Sequence, residues 1–276
     1  MRPYNYRAIS IAKLYEETVC EDASFASPVL VAVSDGAGGG GLFADKWSHY
    51  LVKHVPEKPI DSFESFDLWV GSIWEPFYNY CEQEAQLLGG MYLRKFYEEG
   101  AFATIAISWL VGKKAFWITY GDSIVFHYAP SRDKLEWSKM KLASFNDPPF
   151  LVGTSTPLSF EGFHKGSFSL EPGSVVFVAS DALSHYIMMM YELQHRDSFA
   201  AELNEDISSQ SKNSSFIKAA SMVHVRRTSK WLMKLIRSSR NKANFHRHID
   251  ALIRRGYIAK DDYSFAYLFA SPADGV

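Results

Sequence analysis

The sequence predicts a layered α+β protein in which helices cover two β-sheets. Short runs rich in β-branched and aromatic residues recur along the chain and are joined by tight turns, which favours antiparallel sheets. Longer segments carry apolar residues at helical spacing. Because 47% of the 276 residues are hydrophobic and 15% are aromatic, the chain can bury a substantial core. We interpret residues 1–276 as a single domain.

The β-rich runs and the helical segments interleave along the chain. The predicted strands are 29–33, 103–111, 114–120, 124–128, 175–179 and 264–269, and the predicted helices are 42–54, 62–88 and 229–240. Gly112 and Lys113 provide a tight turn between the second and third strands. The polar stretch 208–215, SSQSKNSS, is predicted to be a mobile loop within the domain.

Charge and cysteine content restrict the possible partners and the compartment. The formal net charge is −2, so no global field favours nucleic acid or an anionic membrane. The N-terminal residues carry no long apolar stretch of the kind found in a signal sequence, and the most apolar windows are too short to span a bilayer. Cys20 and Cys81 are too few to make a disulfide framework, and a single disulfide between them is the alternative to two free thiols. We expect a soluble, reduced, cytoplasmic protein.

Aspartates mark the ends of apolar strands at four places. Asp35 follows VLVAVS, Asp122 follows FWITYG, Asp181 follows VVFVAS, and Asp261-Asp262 precede YSFAYLF. Converging carboxylates repel one another unless a cation lies between them. Hard divalent cations such as Mg²⁺ or Mn²⁺ take such oxygen ligands. The alternative is that each aspartate is an ordinary turn residue or a helix N-cap.

The glycine run 36–41, interrupted only by Ala37, has two interpretations. It could cradle a phosphate, although it lacks the Lys-Ser/Thr of a P-loop and the spacing of a dinucleotide fold. Glycine also lets a backbone carbonyl approach a metal ion closely, because no Cβ intervenes. Its position directly after Asp35 favours the second interpretation.

Six short motifs follow one another in a recognisable order. They are Cys20-Glu21-Asp22, Val33-Ser34-Asp35-Gly36-Ala37-Gly38-Gly39, Phe102-Ala103-Thr104, Tyr120-Gly121-Asp122-Ser123, Ala179-Ser180-Asp181-Ala182-Leu183 and Asp261-Asp262-Tyr263-Ser264. This series resembles the metal-dependent serine/threonine protein phosphatase family (PPM, also called type 2C), as a divergent member. The resemblance covers nearly the whole chain.

The resemblance implies a four-layer α-β-β-α sandwich, with two packed antiparallel sheets flanked by helices and two Mg²⁺ or Mn²⁺ ions at one edge of the paired sheets. It implies that Asp35 bridges both ions and that the Gly36 carbonyl binds one of them. Asp181 and Asp261 would complete the metal ligands. Two cations lower the pKa of a shared water and hold the phosphoryl oxygens during in-line attack.

Two further aspartates are implied as catalytic residues. Asp22, with Glu21 beside it, would lie behind the ions and orient their bound waters. Asp122 would lie close by, where some family members bind a third, weaker cation. The implied substrate is a phosphoprotein, and we expect neither nucleic acid nor a membrane as a partner. The oligomeric state is not indicated by the sequence.

Several positions depart from the family pattern. Glu17 stands where family members often carry a phosphate-binding arginine, and a carboxylate there would repel phosphate. Arg7 and Lys13 are the alternatives for this role, although the spacing demands neither. His185 replaces the usual third-metal aspartate, unless it is an ordinary helix residue. Ala37 replaces the histidine or methionine of the metal turn.

Two other segments allow alternative interpretations. The rigid loop 146–151, with two prolines and an aromatic tip, could line a substrate cleft or be a well-fixed surface turn. The stretch from Arg226 to Arg247 holds eight Lys/Arg residues interleaved with Trp231 and Phe245. It could be an electrostatic docking face, or the solvated side of a helix that packs through Trp231.

The first functional hypothesis is therefore metal-dependent hydrolysis of phosphoserine and phosphothreonine on proteins. A second is a catalytically weak phosphatase-fold module that acts as a sensor or a protein-interaction scaffold, which Glu17 favours. A third is a metal-dependent hydrolase of small phosphate esters.

Overall fold

The computed structural model describes residues 6–270, except residues 40, 139, 210, 224 and 226. Its strands are β1 (Tyr6–Ile11), β2 (Ala23–Ala26), β3 (Leu30–Ser34), β4 (Phe102–Ala103), β5 (Ile105–Val111), β6 (Lys114–Tyr120), β7 (Ile124–Ala129), β8 (Lys134–Trp137), β9 (Val152–Gly153), β10 (Phe163–Ser169), β11 (Val175–Ala179) and β12 (Tyr263–Phe269). Its helices are α1 (Ala44–Lys53), α2 (Phe63–Leu88), α3 (Gly90–Glu99), α4 (Asp181–Gln194), α5 (Ala200–Ser208), α6 (Lys212–Ser221), α7 (Thr228–Ser238) and α8 (Lys242–Arg254).

The strands form two five-stranded sheets in which every pairing is antiparallel. The first sheet has the order β1-β12-β11-β7-β8, and the second has the order β10-β6-β5-β3-β2. Strands β4 and β9 pair separately as a short ribbon. The β5–β6 hairpin turns at Gly112-Lys113, as the sequence predicts, with Gly112 at φ 58°.

Alternation along the buried strands packs the two sheets against each other. Val31 and Val33 of β3 contact Val176 and Val178 of β11 in the layer between the sheets. Leu30 and Ala32, which alternate with these valines along β3, point to the opposite face and belong to the core under the first three helices. Because successive strand residues face opposite sides, a strand that is covered on both faces reads as a continuous apolar run.

Helices cover the outer face of each sheet. Trp47 of α1 and Phe66 and Phe77 of α2 pack on the second sheet, while Leu183 of α4 and Leu235 of α7 pack on the first. The Ser62 side chain accepts a hydrogen bond from the Ser65 N–H at 3.1 Å and begins α2, at the residue where the sequence predicts the long helix to start. The predicted α-β-β-α sandwich is confirmed.

Local predictions had mixed outcomes. All six predicted strands are present, and the three predicted helices correspond to α1, α2 and α7. The prediction of a loop over 208–215 was wrong for Ser208 and for residues 212–215, which are helical, whereas Ser209 and Ser211 lie between the two helices. The Ser211 side chain caps α6. Cys20 and Cys81 are both free thiols. Within the described residues, no helix combines the length and the apolar character needed to cross a bilayer.

Helix α7 supports the amphipathic interpretation of the basic stretch. Trp231, Leu235 and Ile236 are buried on one side, whereas Lys230 and Lys234 are exposed on the other. Arg226, where the stretch begins, lies outside the described residues. The basic side chains of this helix are therefore the solvated side of a helix that packs on the first sheet.

Two buried carboxyl groups on α4 and α5 should make the fold less stable as the pH rises. Glu192 and Asp206 are each 3% exposed, and each has one carboxyl oxygen without a hydrogen-bond partner among the described residues. Burial raises the pKa of Glu192 to about 8 and that of Asp206 to about 6, and nearby carboxylates add to both shifts. The pKa of glutamate in the unfolded chain is about 4.3. Between that pH and the folded pKa, the native state therefore binds more protons than the unfolded state. The free energy of unfolding should fall with pH in this range by up to about 1.4 kcal/mol per pH unit for Glu192.

Glu192→Gln should remove much of this slope, because the amide stays neutral at every pH. We expect the variant to unfold at a higher urea concentration than the parent at pH 8 and to differ little from it at pH 4.5. Glu75→Gln changes an exposed carboxylate on α2, away from Glu192 and Asp206, and is the matched control. Equal slopes for the parent and Glu192→Gln would contradict the prediction.

Candidate active site

The aspartates singled out in the sequence come together at one end of the sandwich. Asp22 precedes β2 and Asp35 follows β3, and Ala23 pairs with Ser34 in the second sheet. In the first sheet Ala179 of β11 pairs with both Ile124 of β7 and Phe265 of β12. This register brings the segments that carry Asp122, Asp181 and Asp261 to the same end. We call Asp22, Asp35, Asp122, Asp181 and Asp261 the aspartate cluster.

The pKa shifts show that these side chains lie within range of one another's charge. Burial raises the pKa of Asp35 well above its usual range, and the charges of Asp22, Asp181 and Asp122 raise it further. Burial likewise raises the pKa of Asp181, with contributions from Asp122, Asp261 and Asp22. Like charges in a desolvated site disfavour ionisation in this way. The cluster is thus a concentration of mutually repelling carboxylates.

Asp22 is the member of the cluster that has a buried carboxyl oxygen without a hydrogen-bond partner among the described residues. Asp22 is 1% exposed, and its Oδ2 has no hydrogen-bond partner among the described residues. Burial raises the pKa of Asp22 to about 7 and that of Asp122 to about 6. A buried carboxylate oxygen without a partner is costly unless water or a cation satisfies it. Asp22 is therefore the member of the cluster that most needs a ligand.

A buried hydroxyl network fixes the turn after β3. The Ser34 hydroxyl donates to the Thr104 carbonyl at 2.6 Å, and the Asp35 N–H donates to Thr104 Oγ1 at 3.3 Å. Thr104 Oγ1 is in turn 2.8 Å from Ser123 Oγ, which joins this turn to the β6–β7 turn that carries Asp122. Thr104 and Ser123 belong to the motifs noted in the sequence, but their link to each other was not predicted.

The glycine turn is packed against two backbone segments. A Cβ at Gly36 would lie 2.5 Å from the Glu21 carbonyl oxygen and 2.9 Å from that of Ala44. The Gly38 N–H donates to the Glu21 carboxylate at 3.2 Å. Gly36 is therefore required sterically at this position. Glu21, implied above to orient bound waters, holds the glycine turn in this structure.

Asp262 anchors the loop between β1 and β2. Its Oδ1 accepts a hydrogen bond from the Lys13 N–H at 2.8 Å, and its Oδ2 accepts one from the Glu21 N–H at 2.6 Å. The neighbouring Asp261 lies with its Oδ1 3.2 Å from Lys13 Nζ. The sequence signal for Asp262 was the doubled aspartate before β12, but the structural role of the second aspartate was missed.

The same architecture is present in solved serine/threonine phosphatases. The catalytic domain of the serine/threonine protein phosphatase PstP, in complex with two manganese ions, superposes with a TM-score of 0.53 at 15% identity, covering 96% of this chain and 98% of that chain. The Mycobacterium tuberculosis phosphatase PstP/Ppp gives 0.51 at 15% identity with the same coverage. Stp1 from Staphylococcus aureus gives 0.53 at 11% identity, covering 96% of this chain and 94% of that chain. The chain has the PPM phosphatase fold. No protein-family model and no curated protein sequence matches it.

The donor set in this PPM fold suits divalent cations. The cluster offers hard carboxylate oxygens, one of them buried without a partner, which is the chemistry that Mg²⁺ and Mn²⁺ favour. Among residues 6–270, without the five that are not described, no three His, Cys, Asp or Glu side chains are gathered closely enough to hold one ion. The cluster therefore supplies suitable ligand atoms without arranging them around a common point.

Two positions that depart from the PPM pattern lie away from the centre of the cluster. Glu17 is exposed in the loop between β1 and β2. His185 is 4% exposed and packs edge-on against Phe145 and Phe216, with ring centroids 5.6 and 6.1 Å away. Burial lowers the pKa of His185 to about 4, so it is a neutral core residue near neutral pH. This supports the interpretation of His185 as an ordinary helix residue.

A cavity of about 230 Å³ opens beside the cluster. Asp122 and Ile124 line one side of it, and Pro148, Pro149 and Phe150 line the other. Residues 147–150 of this loop therefore border a cavity that Asp122 also lines, and the interpretation of the loop as the lining of a substrate cleft stays a prediction. The roles assigned to the individual aspartates stay predictions.

Proposed function

We propose that the protein hydrolyses phosphoserine or phosphothreonine monoesters on proteins, with Mg²⁺ or Mn²⁺ as cofactor. The observation that carries the proposal is the convergence of five aspartates at one end of a PPM fold, where burial and the charges of neighbouring aspartates raise the pKa of Asp35 and Asp181. Such a cluster is disfavoured unless cations offset it. A phosphoprotein is the proposed substrate.

In this proposal Asp35, Asp181 and Asp261 hold the cations together with the carbonyl of Gly36. Bound divalent cations would lower the pKa of a water and neutralise phosphoryl oxygens. Asp22 Oδ2 is buried and unpartnered among the described residues, so it would accept a hydrogen bond from a water held in the cluster. Asp122 is the member of the cluster that lines the cavity, so it would lie beside a phosphate group that enters there.

A second candidate function is a catalytically weak PPM-fold module that senses or scaffolds. The observation that favours it is the exposed Glu17 in the loop between β1 and β2, at the position where the family often has a phosphate-binding arginine. A carboxylate there repels a phosphate dianion. The two candidates differ in turnover, which can be measured directly.

The parent protein should hydrolyse p-nitrophenyl phosphate slowly, with a high KM, and only when Mn²⁺ is present. The high KM is expected because Glu17 offers no donor to the phosphate, while the carboxylates needed to hold the cations are all present. Turnover is followed at 405 nm against EDTA-treated protein, and Mn²⁺ binding is measured separately by calorimetry. Bound Mn²⁺ without turnover would favour the scaffold. A phosphopeptide assay would then distinguish a phosphatase that does not accept p-nitrophenyl phosphate from a protein that hydrolyses no phosphate ester.

A further inference from the structure

The loop between β1 and β2 places a lysine at the edge of the aspartate cluster. The Lys13 N–H is held by Asp262 Oδ1 at 2.8 Å, so the backbone at this residue is fixed. Its Nζ lies 3.2 Å from Asp261 Oδ1, and its side chain is 34% exposed. The ammonium group is therefore both anchored next to the cluster and open to a ligand from solvent.

Lys13 is distinctive in its charge environment. Within the described part of the chain, it is the only lysine or arginine that forms an ion pair with a member of the aspartate cluster. A lysine side chain carries a positive charge in the neutral pH range, and the ion pair with Asp261 holds this charge at the edge of the cluster.

A phosphate monoester that approaches this end of the sandwich meets several carboxylates. Cations in the cluster offset part of this repulsion, but the phosphate also needs a positive donor fixed by the protein. A lysine ammonium has three N–H donors, and Asp261 takes one of them. Two donors can still be directed at phosphate oxygens, since lysine binds phosphate as a point charge.

We propose that Lys13 holds the phosphate group of the substrate, in place of the arginine that Glu17 replaces. The proposal rests on the phosphatase function proposed above and identifies the group that binds the phosphate. The competing role is that Lys13 only balances the charge of Asp261. Phosphate binding separates the two roles. Removal of a residue that only balances Asp261 leaves the phosphate Kd unchanged, whereas removal of a phosphate-binding residue raises it.

The test compares Lys13→Ala, Lys13→Arg and Lys260→Ala with the parent. Lys260 is exposed and directly precedes Asp261, and its ammonium lies 5.7 Å from the centroid of the Tyr15 ring. Because Lys260 carries the same charge as Lys13, Lys260→Ala changes the net charge near Asp261 by the same amount. Calorimetry measures the Kd of Mn²⁺ and then the Kd of inorganic phosphate for the Mn²⁺-loaded protein. Steady-state kinetics with p-nitrophenyl phosphate separates KM from kcat. A thermal melt of each variant confirms folding.

Lys13→Ala should raise the phosphate Kd and the KM by about tenfold, since one charge-assisted contact is lost. We expect kcat to change by less than about threefold and the Mn²⁺ Kd not to weaken. Lys13→Arg should retain most phosphate binding, and Lys260→Ala should change phosphate binding much less than Lys13→Ala.

The outcomes separate this proposal from the proposed function. Phosphate binding that depends on Lys13, in a protein without turnover, would support the role of Lys13 and overturn the phosphatase activity. Turnover with a phosphate Kd and a KM that are unchanged in Lys13→Ala would overturn the role of Lys13 alone. Tighter Mn²⁺ binding with unchanged phosphate binding would identify Lys13 as a counterion and overturn its proposed role. A parent protein that binds Mn²⁺ but no phosphate would overturn it as well.

Discussion

Asp35→Asn should reduce Mn²⁺-dependent hydrolysis of p-nitrophenyl phosphate by on the order of 10³-fold. Asp35 follows the buried strand β3, and its carboxylate is within charge range of Asp22, Asp181 and Asp122. Asparagine keeps the shape of the side chain and its hydrogen-bonding capacity but lacks the negative charge that a divalent cation requires. The expected loss lies in kcat, because the proposed nucleophile is a water activated by the cations.

The same variant separates metal binding from folding. Mn²⁺ should raise the melting temperature of the parent, since it binds the native state, and Asp35→Asn should lose most of that gain. Without Mn²⁺ the variant should be at least as stable as the parent, because one charge has been removed from a repelling cluster. Asp67→Asn removes an exposed aspartate from α2 and should behave like the parent. A fully active Asp35→Asn protein would rule out the proposed metal centre.

The strands were predictable because each has a strong local signal. Strands β3 and β11 are buried at every position and therefore read as unbroken apolar runs that end at a polar turn. Four aspartates of the cluster, Asp35, Asp122, Asp181 and Asp261, were found for the same reason, since each lies at the end of such a run. Asp22 has no such signal and was implied only by the family resemblance. Edge strands were missed. In β10 only Phe163 and Phe168 are buried, and a run with so few apolar positions is not distinguished from a loop.

Helix α4 was missed for the opposite reason. It is buried at nearly every position, from Ala182 to Leu193, so its sequence shows no amphipathic period. The contact between Lys13 and Asp262 was not predictable either, because the two residues are separated by 249 positions in the sequence. Only the antiparallel pairing of β1 with β12 brings their loops together. The donor types in the site were thus predictable from the sequence, which also offered Arg7 and Lys13 as alternatives for binding phosphate. The fold was needed to distinguish Lys13 by its ion pair with Asp261.

Gly36→Ala should cost about 1–3 kcal/mol of folding free energy, and it should also reduce Mn²⁺ affinity. The new Cβ would overlap the carbonyl oxygens of Glu21, at 2.5 Å, and Ala44, at 2.9 Å. Both atoms belong to the backbone, so relief requires the segment before β2 or the start of α1 to move. The neighbouring Asp35 would move with the turn, and its carboxylate would leave its place in the cluster. Urea unfolding without metal measures the stability, and calorimetry measures the Mn²⁺ Kd.

Gly39→Ala is the matched control for this effect, because a Cβ at Gly39 meets no atom within 4 Å. It should change the free energy of unfolding by less than about 0.5 kcal/mol and leave the Mn²⁺ Kd unchanged. Gly38→Ala should lie between the two, since its Cβ would meet the Glu21 carboxylate at 1.9 Å, and a side chain can rotate away where a backbone cannot. This order follows from the steric contacts of the turn alone. If all three variants were equally stable and bound Mn²⁺ equally well, the packing of the glycine turn against Glu21 and Ala44 would have no part in positioning Asp35.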